Sequence, residues 1–433
     1  MKRLVTEKLI HWAESTQRKP LLLRGGRQVG KTFSVMEFGK KNFSGKLHIV
    51  DLEKHPEWHP IFNKNLDPVR IISDLELVLN TKIEITEDLL FLDEIQSCPR
   101  ALLSLRYFYE DMPDLHVIAA GSLLEFAMSE ISFPVGRVQS LTMHPMNFIE
   151  FLSAMGKDLL AEKLKEGKAE FSETIHEMIL GELKHYFFVG GMPEAVNTFV
   201  QSGKLRSAFE VQRDLILTLR NDFSKYAKMA NTNCLDSVLI SVSRMVGNQV
   251  KYTKLSQDHS SQTIKKAFDL LCMANIVHKI PSVNQVGIPL GAFSSRKKFK
   301  ALFLDIGLMQ SISGLPADFE YQKNNLLSIY NGALAEQFVG QELLSRGNLN
   351  LYYWARDNKS STAEVDYLIV REGNIIPIEV KSGPSGRLKS LHLFLNTYRD
   401  LKTGYVLQEN KYSDIPEQKL KFLPLYSAYN FGK

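Results

Sequence analysis

Hydrophobic positions along this chain follow three successive regimes. Up to about residue 144, short apolar runs alternate with amphipathic stretches. Leu21-Leu22-Leu23, Lys46 to Asp51, Asp88 to Ile95, Leu115 to Ser122 and Val138 to Met143 predict strands, several of them buried. Leu4 to Gln17, the stretch carrying Phe33, Val35, Met36 and Phe38, and Pro99 to Tyr109 predict helices between them. This alternation predicts a doubly wound α/β sheet over residues 1–144, with a ligand at the carboxyl ends of its strands.

From Pro145 the apolar period turns helical. Phe148, Phe151, Leu152 and Met155 share a face, with Pro145 in the first turn. Further helices are expected over Phe171 to Tyr186, Arg206 to Tyr226 and Asn233 to Met245, broken at Gly190-Gly191-Met192-Pro193. Residues 145–245 therefore read as an α-helical region. Over 246–318 the order is a short helix at Lys254-Leu255-Ser256, a turn, a helix from Gln262 to Leu271 and a strand at Ile276 to Ile280. That is the order of a winged helix-turn-helix. Gln262, Lys265 and Lys266 would face outward for phosphate or base contacts, unless the module serves only in packing. Arg296-Lys297-Lys298 with Lys300 would extend a basic face or form solvated surface. Residues 319–433 return to α/β. A helix from Asn331 to Arg346 precedes strands at Leu349 to Trp354, Ala363 to Val370 and Ile375 to Lys381. A helix from Leu388 to Tyr398 and a strand from Gly404 to Leu407 follow.

Composition narrows this little. The 433 residues carry a formal charge of +5 and are 44% hydrophobic, which suits a soluble chain of several domains and permits nucleic-acid contact without demanding it. Cys98, Cys234 and Cys272 are too far apart for zinc-ligand spacing. The first residues lack a leader's apolar core, and no apolar run reaches the roughly 20 residues that span a bilayer. The expected setting is reducing and cytoplasmic, with no membrane partner.

The chemistry begins at Gly25-Gly26-Arg27-Gln28-Val29-Gly30-Lys31-Thr32. A strand, a Gly-rich loop and a helix in this order form a phosphate-binding P-loop. The glycines let backbone N–H groups turn toward an anion, Lys31 reaches the β- and γ-phosphates, and the Thr32 hydroxyl binds Mg²⁺. Asp93 and Glu94 end an apolar strand, as a Walker B pair does: Asp93 for the Mg²⁺ shell, Glu94 to polarise the attacking water. Ser122 ends the next apolar strand, either as a γ-phosphate sensor or as a helix cap. Arg137 could stabilise transition-state charge at its own site or a neighbouring subunit's, or form a surface salt bridge. His55 and His59 read as a surface turn rather than a metal pair, because Pro56 and Pro60 interrupt the helix that would align them.

A second constellation lies near the C-terminus. Asp366 and Glu379-Val380-Lys381 fall on neighbouring strands, and Glu379 and Lys381, two apart, share a sheet face. With Glu336 from the preceding helix, the carboxylates could hold one or two Mg²⁺, and Lys381 could orient a water or stabilise phosphate charge. This is the PD-(D/E)xK nuclease arrangement; a decayed nuclease fold kept as a scaffold is the alternative.

Together these residues resemble the prokaryotic AAA-type ATPases that carry a C-terminal domain of uncharacterised function. The likeness rests on the P-loop, Leu92-Asp93-Glu94-Ile95-Gln96, Ala120-Gly121-Ser122, Gly136-Arg137 and Pro145 to Phe151. It extends to Gly190-Gly191-Met192-Pro193-Glu194, Phe303 to Leu308 and the Glu336/Asp366/Glu379-Val380-Lys381 set. The resemblance implies ATP binding, a winged-helix segment and a restriction-endonuclease-like C-terminus. The expectation is a Mg²⁺-dependent ATPase coupled to a nucleic-acid-directed domain, with ATP, DNA and further copies of the chain as partners. The alternative is an ATP-switched regulator that binds DNA or protein and cuts nothing.

Overall fold

The computed structural model describes residues 1–130, 136–226, 230–314, 332–347, 349–356, 363–381 and 388–432. They form two units, residues 2–144 and 145–433. The expected boundary between 318 and 319, and Asn331 at the head of the expected helix, lie outside the described residues.

In the first unit the helices are α1 (Val5–Glu14), α2 (Lys31–Asn42), α3 (His59–Asn63), α4 (Pro68–Leu79), α5 (Pro99–Asp111) and α6 (Leu124–Glu130). The strands are β1 (Leu21–Arg24), β2 (Leu47–Asp51), β3 (Leu89–Asp93), β4 (His116–Ala120) and β5 (Gln139–Thr142). Every pairing is parallel and the order is β2-β3-β4-β1-β5. Parallel neighbours need crossover connections, and the inner strands β1, β3 and β4 are buried on both faces along most of their length. β3 is buried throughout, and Leu90 and Leu92 pack with Ile71 and Leu75 of α4 and Leu102 and Leu105 of α5. The sequence reading passed over α4, although its start carries a legible signal. The Asp67 carboxylate accepts the Val69 N–H, and Pro68 occupies the first turn.

The second unit opens with helices α7 (Phe148–Ala154), α8 (Asp158–Lys165), α9 (Glu173–Val189), α10 (Pro193–Ser202), α11 (Leu205–Asn221), α12 (Phe223–Tyr226), α13 (Thr232–Met245) and α14 (Ser261–Met273). Then come β6 (Val277–Val283), β7 (Ser294–Phe303), α15 (Ile306–Ser313), α16 (Ala333–Ser345), β8 (Tyr352–Ala355), β9 (Glu364–Arg371) and β10 (Asn374–Val380). The chain closes with α17 (Lys389–Thr397), β11 (Gly404–Gln408), β12 (Ser413–Ile415) and β13 (Leu420–Pro424). Pro145 is not in the first turn of α7, contrary to expectation. The helix begins at Asn147, whose side chain accepts the Glu150 N–H while Glu150 accepts the Asn147 N–H. One eight-stranded sheet has the order β12-β13-β11-β10-β9-β8-β6-β7. The hairpin of β6 and β7 follows α14, where a wing would follow a recognition helix, and β6 pairs in parallel with β8. That pairing carries β7 into the sheet that holds the C-terminal acids.

A buried polar knot joins three of the sequence motifs to α16. Tyr186 donates to the Met146 carbonyl at 2.6 Å, and Gln341 donates to the Tyr186 hydroxyl at 2.9 Å. Asp305 accepts the Gly191 and Leu308 N–H groups at 2.6 and 3.0 Å. Gln337 takes the Phe303 N–H and returns a bond to its carbonyl, while Gln341 takes the Ile306 N–H. Because α16 is buried on nearly all sides, its amide side chains must find partners inside the protein, and these backbone groups supply them.

Candidate nucleotide and acid sites

The P-loop connects the interior strand β1, which lies between β4 and β5, to α2. Gly25 has φ +137° and Gly30 φ +94°, and a Cβ on Gly25 would meet the Met143 carbonyl oxygen at 2.1 Å, so only glycine fits there. Gln28 also takes a left-handed backbone, with φ +60°. Val29 is buried and its carbonyl accepts Arg3 at 2.7 Å, which anchors the back of the loop. Gly26 is buried, and Arg27 is half-buried.

Lys31 and Thr32 open α2. The Lys31 ammonium is buried and donates to the Gly25 and Gly26 carbonyls at 3.1 and 2.8 Å. Burial pushes its pKa down to about 8, opposed by the charges of Glu94 and Asp93. A buried cation hydrogen-bonded to neutral carbonyls is suited to an incoming phosphate. Thr32 donates its hydroxyl to Asp93 Oδ2 at 2.8 Å. Burial raises the Asp93 carboxyl to about 6, with the Thr32 bond working the other way. Thr32 and Asp93 thus supply hydroxyl and carboxylate oxygens of the kind Mg²⁺ takes, and the ion would screen phosphate charge there.

Glu94 adopts φ +46°, a strained backbone for a residue with a side chain. Its Oε2 accepts Gln96 Nε2 at 2.5 Å. Sequence reasoning gave Gln96 no role. Its carbonyl oxygen is buried without a hydrogen-bond partner, and a Cβ on Gly121 would lie 2.1 Å from it. Gln96 therefore bridges from Glu94 to the end of β4, where Ser122 is buried. Arg137 falls elsewhere. It precedes β5, whose Gln139 pairs with Leu21 at the start of β1, whereas the P-loop leaves the far end of β1. The Gly136 carbonyl accepts Lys19, and the exposed Arg137 donates to Glu110 at 3.1 Å. Of the three roles open to it, service to its own P-loop is corrected: the parallel sheet separates them by the length of β1. His55 Nδ1 bonds to Glu57, and His59 Nε2 bonds to the Leu52 carbonyl.

The C-terminal acids do converge, around a residue the sequence hid. Lys300 of β7 is 2% exposed and lies 3.1 Å from each of Glu336, Glu364 and Asp366. It was expected on a basic surface; the pairing of β6 with β8 buries it instead. The signal was there in Phe299 and Ala301-Leu302-Phe303, which flank Lys300 with apolar residues as no solvated charge run is flanked. Asp366 also accepts the Val380 N–H at 2.8 Å, and Lys381 donates to Glu379 Oε1 at 2.5 Å. The second oxygen of Glu379 is buried with no partner among the described residues. Burial first, and then the Asp366 charge, push Glu336 and Glu379 up to about 8, while the three acids around Lys300 outweigh its burial and raise it well above its ordinary value. Among the described residues no three acid, histidine or cysteine side chains stand ready to hold a metal ion. The expected cage of Glu336, Asp366 and Glu379 is corrected to that extent, because Lys300 bonds to two of its three members. Its donors nonetheless suit Mg²⁺: all are carboxylate oxygens, and one is orphaned.

No described helix is long and apolar enough to cross a membrane. No curated protein matches the chain. Solved structures that the chain is similar to include three from archaea and bacteria. The Walker-type ATPase paby2304 of Pyrococcus abyssi is 14% identical over 72% of this chain and 95% of that one, with a TM-score of 0.45. The Aeropyrum pernix ORC1 protein, solved in complex with DNA, is 13% identical over 73% and 92%, with a TM-score of 0.29. Thermotoga maritima RuvB is 14% identical over 64% and 89%, with a TM-score of 0.28. Residues 180–318 match a domain of unknown function (DUF8612) and residues 331–427 another (DUF4143). Residues 17–152, which hold the P-loop, Asp93, Glu94 and the five-stranded parallel sheet, match the AAA domain, and this part of the chain is an AAA-type P-loop ATPase domain.

Proposed function

We propose that the chain is a Mg²⁺-dependent ATPase whose nucleotide site drives a nucleic-acid-directed C-terminal domain. The observation that carries the first half is the join of Thr32 to Asp93 beside the buried Lys31. In this reading the P-loop N–H groups and Lys31 bind the phosphates, Thr32 and Asp93 hold the ion, and Glu94, steadied by Gln96, orients the attacking water. Ser122 senses the γ-phosphate from the end of β4. The second half rests on Asp366, Glu379 and Lys381 meeting on adjacent strands of a mixed sheet, with Glu336 from α16. Their chemistry is that of a metal-dependent phosphodiesterase, with Lys381 on the water or the developing charge. Residues 246–303, with a helix followed by a hairpin, would supply DNA contact in the manner of a winged helix.

One observation favours the second reading, a regulator that binds without cutting. Lys300 engages three of the four clustered acids, as expected of a nuclease-like scaffold retired from catalysis. Phosphate release with and without supercoiled DNA tests the coupling. The proposal expects DNA to stimulate hydrolysis by the wild type and Lys31→Ala to abolish it. Hydrolysis indifferent to DNA, with no binding at low salt, overturns the nucleic-acid half.

A further inference from the structure

Four carboxyl groups, Glu336, Glu364, Asp366 and Glu379, face two ammonium groups, Lys300 and Lys381. Carboxyl groups thus outnumber ammonium groups by four to two among the described residues of this cluster. Lys300 lies 3.1 Å from three of the acids, and the fourth, Glu379, keeps a buried oxygen with no partner among the described residues although it lies beside Asp366 and Lys300. An orphaned carboxyl oxygen in the interior is costly, and here it borders a cluster in which acids outnumber cations.

We propose that Lys300 is a built-in cation that holds the place of a divalent ion among Glu336, Asp366 and Glu379, so that metal loading requires Lys300 to be displaced. The inference rests on the reading of this cluster as a metal site and adds a means of control. Lys300 comes from β7, outside residues 331–427, on the hairpin that follows α14. The strand bearing the latch therefore belongs to the segment read as the DNA-contacting wing. Any ligand that shifts this hairpin bears directly on the acid site. Closed, the cluster binds its own lysine and cuts nothing; opened, it offers the carboxylates to Mg²⁺.

Binding of Mn²⁺ to the full chain, followed by electron paramagnetic resonance without nucleotide, tests this. Lys300→Met alone leaves buried acids uncompensated and risks unfolding. The double variant Lys300→Met/Glu364→Gln removes one charge of each sign, so the net charge of the cluster is unchanged. Asp366→Asn marks which bound Mn²⁺ belongs to the cluster. The expected result is Asp366-dependent binding at least about tenfold tighter in the double variant than in the wild type. Equal affinities overturn the latch and leave the metal reading standing. Asp366-dependent binding in neither protein overturns both.

Discussion

Thr32 reaches from the first turn of α2 to Asp93 at the end of β3 and bonds to it at 2.8 Å. Two residues distant in sequence thus meet where a P-loop domain places the ion on its nucleotide. Lys31 stands beside them and donates hydrogen bonds to the Gly25 and Gly26 carbonyls. Lys31→Ala should lower ATP hydrolysis by at least about 10²-fold, as expected when a charge donor to the transferring phosphoryl group is lost. Steady-state phosphate release measures it. An active Lys31→Ala protein would remove the P-loop from the mechanism.

Gln96 steadies Glu94, whose own backbone is left-handed. Gln96→Leu keeps the bulk and removes the bond. Hydrolysis should fall about 10- to 100-fold, with ATP affinity unchanged, because the loss is in orientation rather than binding. A fluorescent nucleotide titration beside the kinetic assay separates the two. Weakened binding with an unchanged turnover number would contradict the role.

Gly25 leaves no room for a side chain: φ is +137° and the Met143 carbonyl crowds the site. Gly25→Ala should destabilise the N-terminal unit by about 2 kcal/mol or more, read as an earlier unfolding transition. Gly156 has nothing within 4 Å of an added Cβ, though its φ of +75° also favours glycine. Gly156→Ala isolates the backbone cost and should be the milder change.

Much of this was legible because the chemistry is local. The P-loop, the acids ending β3 and the strand pair bearing Asp366 and Glu379 are each written in consecutive residues. Lys300 was not, because its burial depends on a parallel pairing between β6 and β8, far apart in the chain. Arg137 was left open for a related reason: a parallel sheet has two ends, and only strand order and register say which end a loop occupies. Gln337 and Gln341 lie four apart on an apolar helix, a pattern that marks a buried polar seam, yet their backbone partners come from other elements.

Glu342 provides a pH test apart from both sites. It is buried, accepts the Phe148 N–H at 2.9 Å, and burial pushes it from 4.5 to about 8. Folding therefore retains a proton that the unfolded chain releases between those values. The associated stability is complete below about 4.5 and is lost as pH rises through about 8, with a slope of up to about 1.4 kcal/mol per pH unit. Glu342→Gln should flatten the fall in denaturation midpoint across this window. Identical pH profiles for wild type and variant would show that Glu342 is charged in the native state.

In the proposed function a nucleotide site commands a metal-dependent nucleic-acid site on the same chain. Supercoiled plasmid incubated with Mg²⁺ or Mn²⁺, with and without ATP, tests it most directly, with wild type beside Lys381→Ala and Lys31→Ala. Nicking or linearisation by the wild type, lost in Lys381→Ala and no longer responsive to ATP in Lys31→Ala, is expected. An intact plasmid under every condition, or equal cutting by wild type and Lys381→Ala, would contradict it.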